Sequence, residues 1–216
     1  YDCDFNHWGL AKMASSAAHI DPKKAGKTIC EAFGAYGWSE GLKLMKWISD
    51  VLFVRGINVL VPHAFSPAAF PDEDCPPHFY AGGHNPQFRY FRIWADYADR
   101  VMEHLSEGVH IAPVAVLYHA EAEWGGKCQP FEKVVKVLAQ HQIDCDIIPG
   151  DALTETLAIN GEQYRALVVP YSEMLPLHVM DMLVKISKNG IPVYFTEAYP
   201  RRCYCSNMSL DCTGMK

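Results

Sequence analysis

Residues 27–38 read KTICEAFGAYGW, and the fold turns on how this stretch is taken. A short apolar run, Thr28-Ile29-Cys30, stops at a lone acid, Glu31, and Phe33, Tyr36 and Trp38 follow on a glycine-containing segment. An apolar run broken off by glycines reads as a buried strand delivering its last side chains to a loop. In parallel α/β folds the carboxyl ends of the strands are where reacting groups gather. Glu31 is therefore a candidate for chemistry, its alternative being an acid that pairs with Lys or Arg and orients a loop.

Outward from this stretch, the N-terminal half holds few elements. HWGLAKMASSAAHI, residues 7–20, is rich in helix formers. Ser39 is placed to cap a helix whose apolar positions Leu44, Ile48, Val51 and Leu52 share a stripe. INVLVP, residues 57–62, reads as a second buried strand, ending directly before His63. Residues 66–87 carry five prolines and two glycines and read as a long ordered loop or lid. A helix with Phe91, Trp94, Ala98, Val101, Met102 and Leu105 on one stripe follows, stopped by Gly108. Two parallel strands with long helices do not bury themselves as a sheet. They make sense as the closing units of a (β/α)8 barrel, which needs about 250 residues in full.

From residue 113 the rhythm becomes regular. PVAVLY, IDCDIIP, ALVVP and IPVYF are apolar strands, and helices are expected over 130–141 and 176–188. Short loops and continuous apolar strands predict a doubly wound, flavodoxin-like parallel sheet. The fold class is thus α/β. The expected domains are 1–111, a partial barrel; 112–200, the flavodoxin-like domain; and 201–216, a cysteine-containing tail without a clear period.

Composition narrows the function. Half of the 216 residues are apolar, which suits a packed core. A net charge of −6 lacks the basic stripe of a nucleic-acid surface. No apolar run approaches the roughly 20 residues of a membrane span, and no signal-peptide pattern is read. The compartment stays open. Cys203, Cys205 and Cys212 are spaced C-x-C-x6-C, which is not a well-attested zinc pattern, and no helix carries an H-x-x-x-H pair. Neither G-x-G-x-x-G after a strand nor a P-loop is present. No metal and no cofactor are expected.

SSAAHI…KTICEAFGAYGW…LKLMKWISDVLFVRGINVLVPHAFSP, with YAGGHNPQFRYFRIWADYADRVMEHLSEG after it, resembles the last part of the catalytic barrel of large bacterial glycoside hydrolases. The α-L-rhamnosidase-type enzymes and the family-42 β-galactosidase clan are the nearest likenesses. The half from Val114 to Phe195 is similar to the class I glutamine-amidotransferase-like domain that follows such barrels. The resemblance implies cleavage of O-glycosidic bonds in plant or microbial glycans, with a carbohydrate as substrate. It implies that Glu31 is a catalytic carboxylate ending the seventh strand and that His63, ending the eighth, lines the sugar site. Tyr36 and Trp38 become candidate sugar platforms, because rings stack on the apolar faces of a pyranose, though they could equally plug the barrel mouth. His7 is a further substrate-binding candidate, on the loop of the sixth strand.

Two departures qualify the resemblance. Glycoside cleavage uses two carboxylates, and the partner of Glu31 would come from an earlier strand, so the 216-residue chain alone is expected to be inactive. Glu121 and Glu123 could reach over a barrel mouth or stand in a solvated loop. In the second half, YSEMLP follows ALVVP without a cysteine, so amidotransferase activity is not expected. The rival reading is a non-enzymatic module, with the flavodoxin-like half assembling homo-oligomers or binding a partner.

Overall fold

The computed structural model describes the backbone of residues 6–205 and 208–211, and side chains from 8 to 205. It has mixed α/β architecture with parallel sheets, in two compact units. One is Lys24–Val109; the other joins the residues up to Lys23 with those from His110 onward. The first described element is helix α1 (Asn6–Ile20), which belongs to the second unit.

In the unit Lys24–Val109, strand β1 (Ile29–Ala32) is followed by helix α2 (Leu42–Phe53), strand β2 (Val59–Pro62) and helix α3 (Phe91–Glu107). β1 and β2 pair in parallel, with Glu31 opposite Val61. The expected burial of β1 is not found. Ile29 is 65% exposed and Glu31 is exposed, because this sheet has only two strands among the described residues. Ser39 does not cap α2. The helix starts at Leu42, whose N–H donates to Gln87 Oε1 at 3.0 Å, so a side chain far along the chain does the capping. The buried face of α2 is Met45, Ile48, Ser49 and Phe53, while Leu44 faces out. Trp94 of α3 donates its indole N–H to Ser49 Oγ at 3.0 Å, joining the two helices through a buried polar contact.

The second unit continues with strand β3 (Val114–Tyr118), a short helix α4 (Ala122–Gly125), helix α5 (Phe131–Gln140) and strand β4 (Cys145–Pro149). A small ribbon, β5 (Ala158–Ile159) and β6 (Glu162–Gln163), precedes strand β7 (Ala166–Val169). Then come β8 (Met174–Pro176), α6 (Leu177–Lys188), β9 (Val193–Phe195), β10 (Arg202–Cys205) and β11 (Met208–Asp211). The main sheet has the order β4-β3-β7-β9, all parallel.

Successive residues of its strands enter opposite cores, as the period of two requires. Val116, Cys145 and Ile147 pack with Phe131, Val134 and Val135 of α5. Leu117, Ile148, Leu167 and Val169 pack on the other side with Leu175 and with Val179, Leu183 and Ile186 of α6. A parallel sheet covered on both faces accounts for the unbroken apolar runs seen in the sequence.

Two features of this unit were not legible beforehand. The tail after Arg201 is part of a sheet of order β11-β10-β8, and Cys203 is buried in the core at 2% exposure. Helix α1 covers the outer edge of β4, where an unpaired ladder would otherwise meet water. Ser16 Oγ accepts from the N–H of Ile147 at 2.8 Å and donates to the Lys12 carbonyl at 2.6 Å. Ser16→Ala leaves that buried N–H without an acceptor and is expected to cost about 1–3 kcal/mol in denaturant unfolding. An unchanged midpoint would mean that the edge is held by other contacts.

Candidate functional site

The site is built on the pair of strands β1 and β2. Their register sets Ala32 opposite Pro62, and the His63 N–H then donates to the Ala32 carbonyl at 2.8 Å. The chain after Glu31 turns sharply, with positive φ at Phe33 (80°), Ala35 (65°) and Gly37 (81°). Gly34 lies against the imidazole of His63. A Cβ there would stand 3.2 Å from the His63 Cγ, so the absence of a side chain lets the turn approach the ring. The Nδ1 of His63 is buried and has no hydrogen-bond partner among the described residues. Glu31 is exposed, and no described lysine or arginine lies within ion-pairing distance of it.

The three aromatics of the opening stretch divide. Phe33 is 1% exposed and packs edge-to-face on Trp94 (5.2 Å) and Phe79 (6.4 Å), anchoring the turn in the core. Tyr36 and Trp38 are half exposed. Trp38 meets Phe70 at 5.7 Å and His78 at 5.6 Å, both edge-to-face, and Phe70 stacks on His84 at 4.2 Å. These partners come from the proline-rich loop, which is tied down at several points. The Gly37 N–H donates to the Pro76 carbonyl at 2.9 Å, and the Phe79 N–H donates to the Ala64 carbonyl at 3.0 Å. His78, almost fully buried, donates from Nε2 to the Asp74 carbonyl at 2.6 Å, and Ser66 hydrogen-bonds Asp72. An exposed carboxylate, an imidazole and a half-exposed indole edge thus stand on one ordered framework. Such a set can bind hydroxyls and apolar C–H faces and can move a proton.

Glu40 was not singled out in the sequence, where nothing in SEG before a helix marks an acid as buried. It is 5% exposed, and neither carboxylate oxygen has a hydrogen-bond partner among the described residues. It borders a cavity of about 10 Å³ beside Gly41, Met45, Phe79 and Gln87, space on the scale of one water. Burial pushes its carboxyl up to about 7 from the ordinary 4.5. Below 4.5 both the folded and the unfolded chain hold this proton, and burial costs nothing extra. As pH rises towards 7 the unfolded chain releases the proton while the folded one keeps it, so stability falls, by roughly 3 kcal/mol in total once pH exceeds 7. Glu40→Gln is expected to remove this fall, so its advantage over the wild type in urea unfolding grows between pH 4 and pH 8 by roughly that amount. A difference independent of pH would show that Glu40 is charged and solvated.

The other candidates are spread out. His7 falls in the first turn of α1, in the unit that holds the main sheet, and its side chain lies outside the described residues, as do Cys3 and Cys212. His7 thus stands in a helix rather than on a loop, and α1 packs on β4 and α5 of its own unit. Glu121 and Glu123 are exposed after β3. Cys145 is buried in β4, and burial pushes its thiol up to about 12, which leaves no thiolate for nucleophilic chemistry. After β7, where an amidotransferase nucleophile would stand, Ser172 is buried and donates to the Pro170 carbonyl.

No protein-family profile and no curated protein matches the chain. Solved structures do. A rhamnosidase from Novosphingobium sp. PP1Y aligns with a TM-score of 0.59 at 22% identity, over 85% of this chain and 19% of the rhamnosidase. The E323A catalytic mutant of Gan42B, a GH42 β-galactosidase from G. stearothermophilus, aligns with a TM-score of 0.55 at 15% identity, over 88% of this chain and 30% of that enzyme. A second Gan42B structure aligns equally well, at 14% identity. The chain spans less than a third of these proteins, and at such identities the likeness is one of fold. Among the described residues, no helix is long and apolar enough to cross a membrane.

Proposed function

We propose that this chain is part of a glycoside hydrolase acting on a carbohydrate, and that Glu31 is one of its catalytic carboxylates. On this reading β1-α2 and β2-α3 are the last two units of a (β/α)8 barrel, and the sheet β4-β3-β7-β9 is a flavodoxin-like domain that comes after it in the sequence. The observation that carries the reading is the exposed Glu31, without an ion pair among the described residues, near the carboxyl end of a parallel strand, with His63 directly after the neighbouring strand. The bland alternative needs a cation beside Glu31, and none of the described residues supplies one by an ion pair. The fold shared with a rhamnosidase and with GH42 β-galactosidases supports the same conclusion.

Glu31 would serve as nucleophile or as general base at the anomeric carbon, with the second carboxylate supplied by an earlier barrel strand. His63 would take a sugar hydroxyl, and Tyr36 and Trp38 would offer ring surfaces to the apolar side of the sugar. The test is hydrolysis of aryl α-L-rhamnosides and aryl β-D-galactosides by the full-length protein and by its Glu31→Gln variant. Release of aryl alcohol that the variant loses supports the proposal. Hydrolysis that the variant retains, or no hydrolysis of any glycoside in a broad aryl-glycoside panel, refutes it and leaves the partner-binding module.

A further inference from the structure

Within the unit containing the main sheet, helix α1, the segment before β3, strand β4 and the β5-β6 ribbon bring together seven polar side chains. His19 Nδ1 lies 2.9 Å from Asp146 Oδ1. His110 Nδ1 lies 3.6 Å from Asp146 Oδ2 and 3.2 Å from Glu162 Oε2. One ligand atom from each of His19, His110 and Asp146 fits within 4.8 Å of the others. Around them stand supporting contacts. His110 Nε2 is 3.3 Å from Asp144 Oδ2, Lys12 Nζ is 2.6 Å from Asp144 Oδ1, and the Tyr164 hydroxyl donates to Asp146 Oδ2 at 2.9 Å.

The charge of this cluster asks for a cation. Asp144, Asp146 and Glu162 are three carboxylates, and Lys12 is their single permanently positive neighbour among these contacts. With both imidazoles neutral, two negative charges remain uncompensated around Asp146, which is fully buried. One divalent cation would compensate them with both rings neutral.

We propose that this cluster is a structural divalent-cation site of the zinc class, with His19, His110 and Asp146 as ligands and Glu162 closing the fourth position. The mixed nitrogen and oxygen donors suit zinc, whereas calcium and magnesium favour oxygen alone. The surroundings have the form that metal-binding histidines require. Asp144 takes the far nitrogen of His110 and is itself held by Lys12, and Tyr164 orients Asp146. Access is provided by a cleft of about 780 Å³ that His110, Glu162 and Tyr164 line. The two rings are nearly parallel, at 20°, so no point lies in both ring planes at bonding distance. Binding therefore turns them out of their stack until each lone pair meets the ion. The consequence is mechanical: the ion clamps α1 to the edge of the sheet. This proposal is independent of the glycosidase reading.

The test uses the full-length protein, stripped with a chelator and titrated with zinc chloride by calorimetry and by thermal melting. One equivalent of zinc should bind and raise the melting temperature. His110→Ala, whose side chain is at the rim and 21% exposed, should abolish both effects. Glu162→Gln, a milder change, should weaken binding about 10-fold or more. Absence of stoichiometric zinc overturns the proposal. So does zinc binding that both variants leave intact, which would place the ion elsewhere, or a thiolate-to-metal charge-transfer band with cobalt, which would assign it to cysteines.

Discussion

Glu31→Gln in the full-length protein is expected to lower kcat on its glycoside by roughly 10³-fold or more, with no change in melting temperature. The two halves of this expectation have separate physical grounds. Glutamine keeps the shape and polarity of the side chain, and Glu31 is exposed without an ion pair among the described residues. Surface changes of this kind stay within about 0.5 kcal/mol. The kinetic loss follows from the charge. An oxocarbenium-like transition state next to a carboxylate gains electrostatic stabilisation that a neutral amide does not give, and about 4 kcal/mol of such stabilisation is a factor of roughly 10³. A neutral amide also neither attacks the anomeric carbon nor takes a proton from water. Turnover within tenfold of the wild type would exclude Glu31 from the chemistry, whatever the fold.

The second large effect is on stability. Asp146→Ala in the metal-free chain is expected to cost about 3–5 kcal/mol, the range for removing one partner of a buried ionic contact. Asp146 is wholly buried and receives His19 on one oxygen and Tyr164 on the other. Removing it leaves both donors, the His19 ring N–H and the Tyr164 hydroxyl, without their acceptor. Asp146→Asn, which retains an acceptor, should cost less. A double-mutant cycle with His19→Ala isolates the contact, and a coupling near zero would mean that Asp146 is held by Tyr164 alone.

These two residues differ in how visible they were. Glu31 stood out because an acid that breaks an apolar run is a local pattern, and the paired strands do place it opposite Val61, next to the position that leads into His63. Asp146 sits in IDCDIIP, where it looks like an interruption of an apolar strand; its partners His19 and Tyr164 are 127 and 18 residues away. Glu40 is similar. Its burial comes from Phe79 and Gln87 in the distant loop, and no local pattern signals it. Ser39 illustrates the opposite error: a good capping residue lost to Gln87, because tertiary packing began the helix at Leu42.

What the amino-acid sequence determined by itself is the set of elements whose hydrophobic period is local. The strands Val114–Tyr118, Cys145–Pro149, Ala166–Val169 and Val193–Phe195, the helices between them, and the two strands Ile29–Ala32 and Val59–Pro62 belong to that set. Only the tertiary structure decided that α1 closes the edge of β4, that Arg202–Cys205 pairs with Met174–Pro176, and that His19 meets His110. Periodicity records which face of an element is apolar. Which other element covers that face, and which polar groups are buried with it, depends on contacts between residues far apart in the chain, and these leave no periodic trace.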